Sequence, residues 1–294
     1  MAVLMFASCK KTENRTYPNN DAVNPHRVPT IKVENYVNRL FIDLVGRSAL
    51  EAEMATETDI LKEAGLSKQA RMDLISKLQN DTAAVIGDSS YNIAYNQRLY
   101  DIMKSRMCEG AADNEFTRFV GLAQFALTVA RLEGDSVRVY AALEQIERNQ
   151  KVVEGKVEMR NGEITINELF ARLMNNNVYD YINMNSFNFV NASFDDLFMR
   201  FPTQEEFDIA YEIIERNQVG GLFGGFASTK AEYCKLLTES DEFYEGLIRW
   251  TYETLMGREA TSQEVVNHFS KLIINKDFKQ LQMDILITDE YADF

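Results

Sequence analysis

Leu255-Met-Gly-Arg258-Glu-Ala-Thr261-Ser-Gln-Glu264-Val265 is the stretch that decides how this chain folds, because it occurs more than once. Leu44-Val-Gly-Arg47-Ser-Ala-Leu-Glu-Ala-Glu53-Met54 aligns with it without a gap, and Leu197-Phe-Met-Arg200-Phe-Pro-Thr203-Gln-Glu-Glu206-Phe207 is a third copy. Ahead of the Gly-Arg pair the apolar residues fall at helical spacing, as Val37, Leu40, Phe41, Leu44 in one copy and Leu247, Ile248, Thr251, Tyr252, Leu255 in another. Gly46 and Gly257 stand where a helix stops, since glycine takes the left-handed cap at little cost. Arg47, Arg200 and Arg258 then lie near the negative end of the helix dipole. Thr203 with Glu206, and Thr261 with Glu264, have the S/T-x-x-E spacing of a capping box, so a second helix starts within a few residues. The helix end accounts for the arginine and the cap for the glutamate, which makes a catalytic Arg–Glu pair unnecessary.

Working outward, Tyr91 to Arg106 lays on Phe243 to Arg258 as a cruder fourth copy, and Ser240-Asp-Glu-Phe243 and Thr288-Asp-Glu-Tyr291 close two copies by capping the next helix. The segments between stay helical: Leu66 to Leu78 carries Leu/Ile/Met spacing, and Phe116 to Ile146 is interrupted only by Gly121 and Gly134. Val157 to Ile166 alternates around Asn161-Gly162 and reads as a β-hairpin with a type I′ turn. The expected fold is therefore all-α, a helical bundle of repeated helix–corner–helix units with one small β-hairpin near 156–166. Residues 32–150 form an N-terminal helical subdomain, and residues 151–294 form a C-terminal one holding the hairpin and two repeat copies.

Composition removes several functional classes. The chain has 294 residues, with 31 Lys plus Arg against 45 Asp plus Glu, and the net charge of −14 repels phosphate backbones. No nucleic-acid partner is expected. Two histidines and three cysteines, Cys9, Cys108 and Cys234, supply neither a Cys/His zinc cluster nor a CxxCH haem site, so no metal and no cofactor are expected. His268 follows Glu264 by four residues without forming HExxH, and it reads as an ordinary helical residue. Cys108 and Cys234 sit in apolar helical patterns as buried thiols, and a disulfide between them is left open.

The first nine residues, Met1-Ala-Val-Leu-Met-Phe-Ala-Ser-Cys9, are an apolar run ending in two small residues and a cysteine. This resembles the end of a bacterial lipoprotein signal, in which Cys9 is lipidated; the other reading of Cys9 is a buried thiol on a frayed terminus. Residues 10–31 are polar and hold three of the four prolines, Pro18, Pro25 and Pro29, which reads as a flexible tether. Lys10-Lys-Thr-Glu13 after the cysteine is similar to lipoproteins of Bacteroidota-type bacteria. A lipid at Cys9 implies an outer-membrane-anchored protein of the cell envelope, with the membrane as one partner.

Tyr36-Val-Asn-Arg-Leu-Phe-Ile-Asp-Leu-Val-Gly-Arg47, Tyr181 to Asn191 and Leu255-Met-Gly-Arg-Glu-Ala-Thr261 together resemble two groups of secreted bacterial domains. One is the helical domains of planctomycete-type proteins that accompany cytochrome-like modules; the other is the "LLGREP" helical repeat of secreted and surface-layer-associated proteins. The resemblance spans most of residues 32–294. It implies a helical fold and an envelope address, and carries no activity.

Two segments offer binding chemistry. Asn175 to Asn191 interleaves seven asparagines with Tyr179, Tyr181, Phe187 and Phe189. Amides and rings together suit a sugar surface, with Asn183, Asn185, Asn188, Tyr179, Tyr181 and Phe187 as its contacts; the alternative is that the amides serve turns and the rings fill the core. Gly220-Gly221-Leu222-Phe223-Gly224-Gly225-Phe226 is an apolar loop suited to a partner, or folded back over the core. Asp81-Thr-Ala83 and Asp135-Ser-Val137 resemble the short O-glycosylation acceptor of Bacteroidota. The leading expectation is a non-enzymatic, lipid-anchored envelope scaffold or binding protein with an envelope protein or a glycan as partner. A carbohydrate-binding or carbohydrate-processing lipoprotein is the alternative, and an accessory subunit of a redox assembly the third.

Overall fold

The computed structural model describes residues 28–85 and 87–294, and the lipidation motif at Cys9 with most of the tether lies outside them. The first repeat copy is α1 (Thr30–Val45), α2 (Glu51–Glu63) and α3 (Lys68–Asn80), leading into α4 (Tyr91–Cys108). A helical hairpin follows, α5 (Asp113–Glu133) and α6 (Ser136–Asn161), then α7 (Ile166–Met174) and α8 (Asn177–Asn183). The second copy is α9 (Ser186–Phe198), α10 (Gln204–Arg216), a strand pair β1 (Gly220–Leu222) and β2 (Gly225–Ala227), and α11 (Lys230–Glu239). The third is α12 (Asp241–Met256), α13 (Ser262–Asn275) and α14 (Phe278–Leu286), ending on the short α15 (Asp289–Ala292). The described residues are thus an all-α bundle with one small hairpin.

Each repeat helix is held by the stripe its sequence advertises. On α1, Val33, Tyr36, Val37, Leu40, Phe41 and Leu44 are buried, and Gly46 at φ +81° returns its amide to the carbonyls of Phe41 and Ile42. Helix α12 is buried on most faces and crosses α9 so closely that a Cβ on Gly246 would stand 2.0 Å from the Leu197 carbonyl oxygen. One hydrophobic core runs from Val33 to Ala292. The last elements close onto the first: the Tyr36 hydroxyl donates to the Leu286 carbonyl at 3.1 Å, Arg39 donates to the Tyr291 carbonyl at 2.8 Å, and α14 packs on α3.

Three expectations are corrected. The hairpin is not near 156–166: α6 continues through Val157 to Asn161, and Gly162 at φ +73° is its left-handed cap. Asn-Gly serves a helix stop as well as a type I′ turn, because both need positive φ. The strand pair lies instead at Gly220–Ala227, turning on Phe223 and Gly224 with φ +51° and +79°. The boundary between residues 150 and 151 falls inside α6, which runs unbroken across it. The fourth copy fails at its corner, since α4 continues past Arg106 to Cys108.

Candidate functional site

The three corners share one constellation. Arg47, Arg200 and Arg258 each form a two-pronged bond with the glutamate six residues on: Arg47 with Glu53 at 2.7 and 2.8 Å, Arg200 with Glu206 at 2.9 and 2.7 Å, and Arg258 with Glu264 at 3.0 and 2.8 Å. Each also donates to the carbonyl of its own next residue and lies over an aromatic ring six residues before it, Phe41, Phe194 or Tyr252. A further carboxylate completes each cluster: Asp88, Glu242 and Glu290. Glu242 and Glu290 come from the Ser-Asp-Glu and Thr-Asp-Glu steps that start α12 and α15, so one arginine ties the corner to the start of the next unit.

The glutamates also cap α10 and α13 through Thr203 and Thr261 as their spacing predicts, whereas Leu50 has no side-chain acceptor and Glu53 supplies half a box, accepting from its amide at 2.7 Å. Bonding from Arg200 and from Arg258 holds the carboxyls of Glu206 and Glu264 down at about 2. Where Gly46 and Gly257 take the left-handed cap, the second copy uses Met199 at φ +59°. Sequence reasoning found the arginine and the glutamate of each corner, missed Asp88 and Phe194, and assigned the arginines to the helix dipole. Their partners are carboxylates.

The Asn/aromatic segment does not assemble one surface. Asn176 is wholly buried and knots the α7–α8 turn, accepting from the amides of Val178 and Tyr179 and donating to the Leu173 carbonyl at 2.7 Å. Asn183 donates to the Tyr179 carbonyl, and Asn185 caps α9 by accepting from the Asn188 amide. Tyr179 and Phe189 are core residues packed edge to face, while Tyr181 and Phe187 are exposed. In the glycine-rich segment, Leu222 is buried and Phe223 packs on Phe194 and Phe198, so that end folds back over the core; Phe226 faces solvent. Gly220 is hemmed in there, since a Cβ would strike Ile209 and the buried Ile213 at 2.8 Å, whereas at Gly225 it would meet only the end of the Leu236 side chain.

Two grooves among the described residues exceed about 600 Å³. One, of about 640 Å³ between α6, α7 and α11, has Asn167, Cys234 and Thr238 at its lining; the Asn167 amide donates to the Thr238 carbonyl and the Tyr244 hydroxyl, and its Oδ1 has no partner. The other, of about 670 Å³ between α4, α9 and α12, is lined by Arg106, Asp195, Asp196, Trp250 and Glu253. Arg106 donates to the backbone carbonyls of Asp196 and Asp195 at the end of α9, at 2.6 and 3.2 Å. Burial pushes the Asp196 carboxyl up to about 6 against the opposing bond from the Tyr179 hydroxyl at 2.8 Å. Cys108 and Cys234 are unpaired, and burial pushes both thiols up to about 12. His268 meets the Tyr252 hydroxyl at 3.2 Å.

The feature that sequence reasoning missed is the outer face of α5. Val120, Ala123, Leu127 and Ala130 turn inward, with Ala142 and Asn149 among the buried residues of α6. On the opposite side, Leu122, Phe125 and Leu132 are 56%, 72% and 84% exposed, with Val129 half-buried between them. The chain matches no family model, no curated protein and no solved structure. What the site can do is therefore read from its own surface. The run Phe116 to Ile146 contains two interleaved apolar stripes, and its composition alone does not say that only one of them is covered. The signal was the 3-4-3 spacing of 122, 125, 129 and 132.

Proposed function

We propose that the protein is a non-enzymatic helical scaffold of the cell envelope, held by a lipid on Cys9, that binds a protein through the outer face of α5. The apolar row on α5, which the described residues leave uncovered, carries this reading, because exposed, contiguous apolar side chains on one helix mark an interaction surface. The recurrent Arg–Glu groups support it from the other direction: they are spent on joining units, at three separate corners. The raised carboxyl of Asp196 lines the groove between α4, α9 and α12, and one of its oxygens accepts from the Tyr179 hydroxyl.

Crosslinking in native membranes followed by pull-down tests the reading. Phe125→Glu is expected to abolish capture of the crosslinked protein while leaving the helical content unchanged, and capture that survives it refutes the α5 surface. The anchor is tested separately: Cys9→Ser is expected to move the protein to the soluble fraction.

A further inference from the structure

We infer that the outer face of α5 receives the same face of a second copy of this chain, the two helices running antiparallel. The inference rests on the proposed binding role of α5 and names its occupant. Leu122, Phe125, Val129 and Leu132 follow the 3-4-3 spacing with which a helix meets another helix of the same period. In antiparallel register Leu122 meets Leu132, and Phe125 meets Val129. Every member of the row then has a partner from the identical row.

Charge sets the direction. The row begins beside Arg118 and ends beside Glu133, whose side chains are 55% and 52% exposed and, among the described residues, bonded locally to Glu115 and Arg138. Reversing one copy places Arg118 about one turn from Glu133 of the other at both ends, whereas a parallel pair sets like charges together. Charge also selects the α5–α6 hairpin as the contact. Asp113 to Asn161 holds seven basic and eight acidic residues, so nearly all of the net −14 lies elsewhere in the chain. Helix α6, with its 26 residues, is about 39 Å long. Contact along α5 lets the acidic bodies lie farther apart than the Debye length of about 8 Å at physiological salt. An unrelated acidic surface gains nothing from the alternating ends, and a lipid surface does not read them.

The side chains of the row expose on the order of 450 Å² per copy. Two copies bury roughly 900 Å² in all, the size of a weak, reversible interface. Sedimentation equilibrium of the full, unlipidated chain is expected to show monomer and dimer in rapid exchange, with a midpoint on the order of tens of micromolar, about −6 to −7 kcal/mol. Phe125→Glu and Leu132→Glu, both at exposed positions, are each expected to raise that midpoint by more than about tenfold with unchanged thermal unfolding. Arg118→Glu alone is expected to weaken the dimer, and Arg118→Glu with Glu133→Arg to restore it. A chain that stays monomeric to several hundred micromolar, a dimer indifferent to Phe125→Glu, or a double swap that fails to rescue would each overturn the inference. A monomeric chain whose membrane crosslink to another protein is still lost on Phe125→Glu would sink this inference and leave the binding role standing.

Discussion

Arg200 binds Glu206 and Glu242, covers Phe194 and bonds the Phe201 carbonyl, so four parts of two repeat units depend on one guanidinium. A lysine in its place keeps the charge but not the planar fork. Arg200→Lys is expected to cost about 2 kcal/mol in urea unfolding near neutral pH. The pH dependence follows from Glu206: Arg200 depresses its carboxyl to about 2 in the folded state, so the stabilisation is present above the ordinary glutamate value and is lost as pH falls through the acid range. The gap between wild type and Arg200→Lys should close on acidification.

Asp196 has the opposite sign. Its folded value is raised by burial to about 6, so the folded protein binds the extra proton between the ordinary aspartate value and that point, and the ionised group costs stability above it. Asp196→Asn is expected to raise the urea midpoint at about pH 7.5 and to leave it nearly unchanged at about pH 4. These partnerships were only half legible. The spacing of Arg and Glu was visible, but a bond between residues six apart across a corner is fixed by the angle of that corner, which no local pattern states.

Among the elements, α12 shows what a single missing side chain permits. Gly246 sits in the middle of a helix, where glycine is costly, and it is kept because α9 presents its backbone there. Gly246→Ala is expected to destabilise the fold by about 3 kcal/mol, read from denaturant unfolding, because backbone rather than a flexible side chain must move. The helices themselves were legible: apolar spacing, capping boxes and glycine stops marked α1, α10, α12 and α13. The strand pair was not. Gly162 and the pair Phe223-Gly224 all take positive φ, and what separates the two sites is tertiary: Gly220 lies against α10, where a side chain would collide with Ile209 and Ile213. The asparagines from 175 to 191 had two readings from the start, and the observed bonds of Asn176, Asn183 and Asn185 are those of turns and caps.

At the scale of the molecule, the third unit returns to the first. The Tyr291 ring lies edge-on to Tyr36 at 6.0 Å and under Arg39 at 4.0 Å, and its hydroxyl donates to Asp43 at 2.7 Å. Tyr291→Ala is expected to cost about 4 kcal/mol in urea unfolding. Hydrogen exchange should then quicken in α1 as well as in α15. Repetition along the chain made the units visible, yet nothing in a repeat says whether it runs on in an open array or comes back to its start.

That return constrains how the protein is made. A chain leaving the ribosome presents Tyr36 and Arg39 long before residues 286 to 291, which hold their acceptors, have been synthesised. Helix α1 must wait, its polar groups served by water or by a chaperone, until some 250 further residues have been translated.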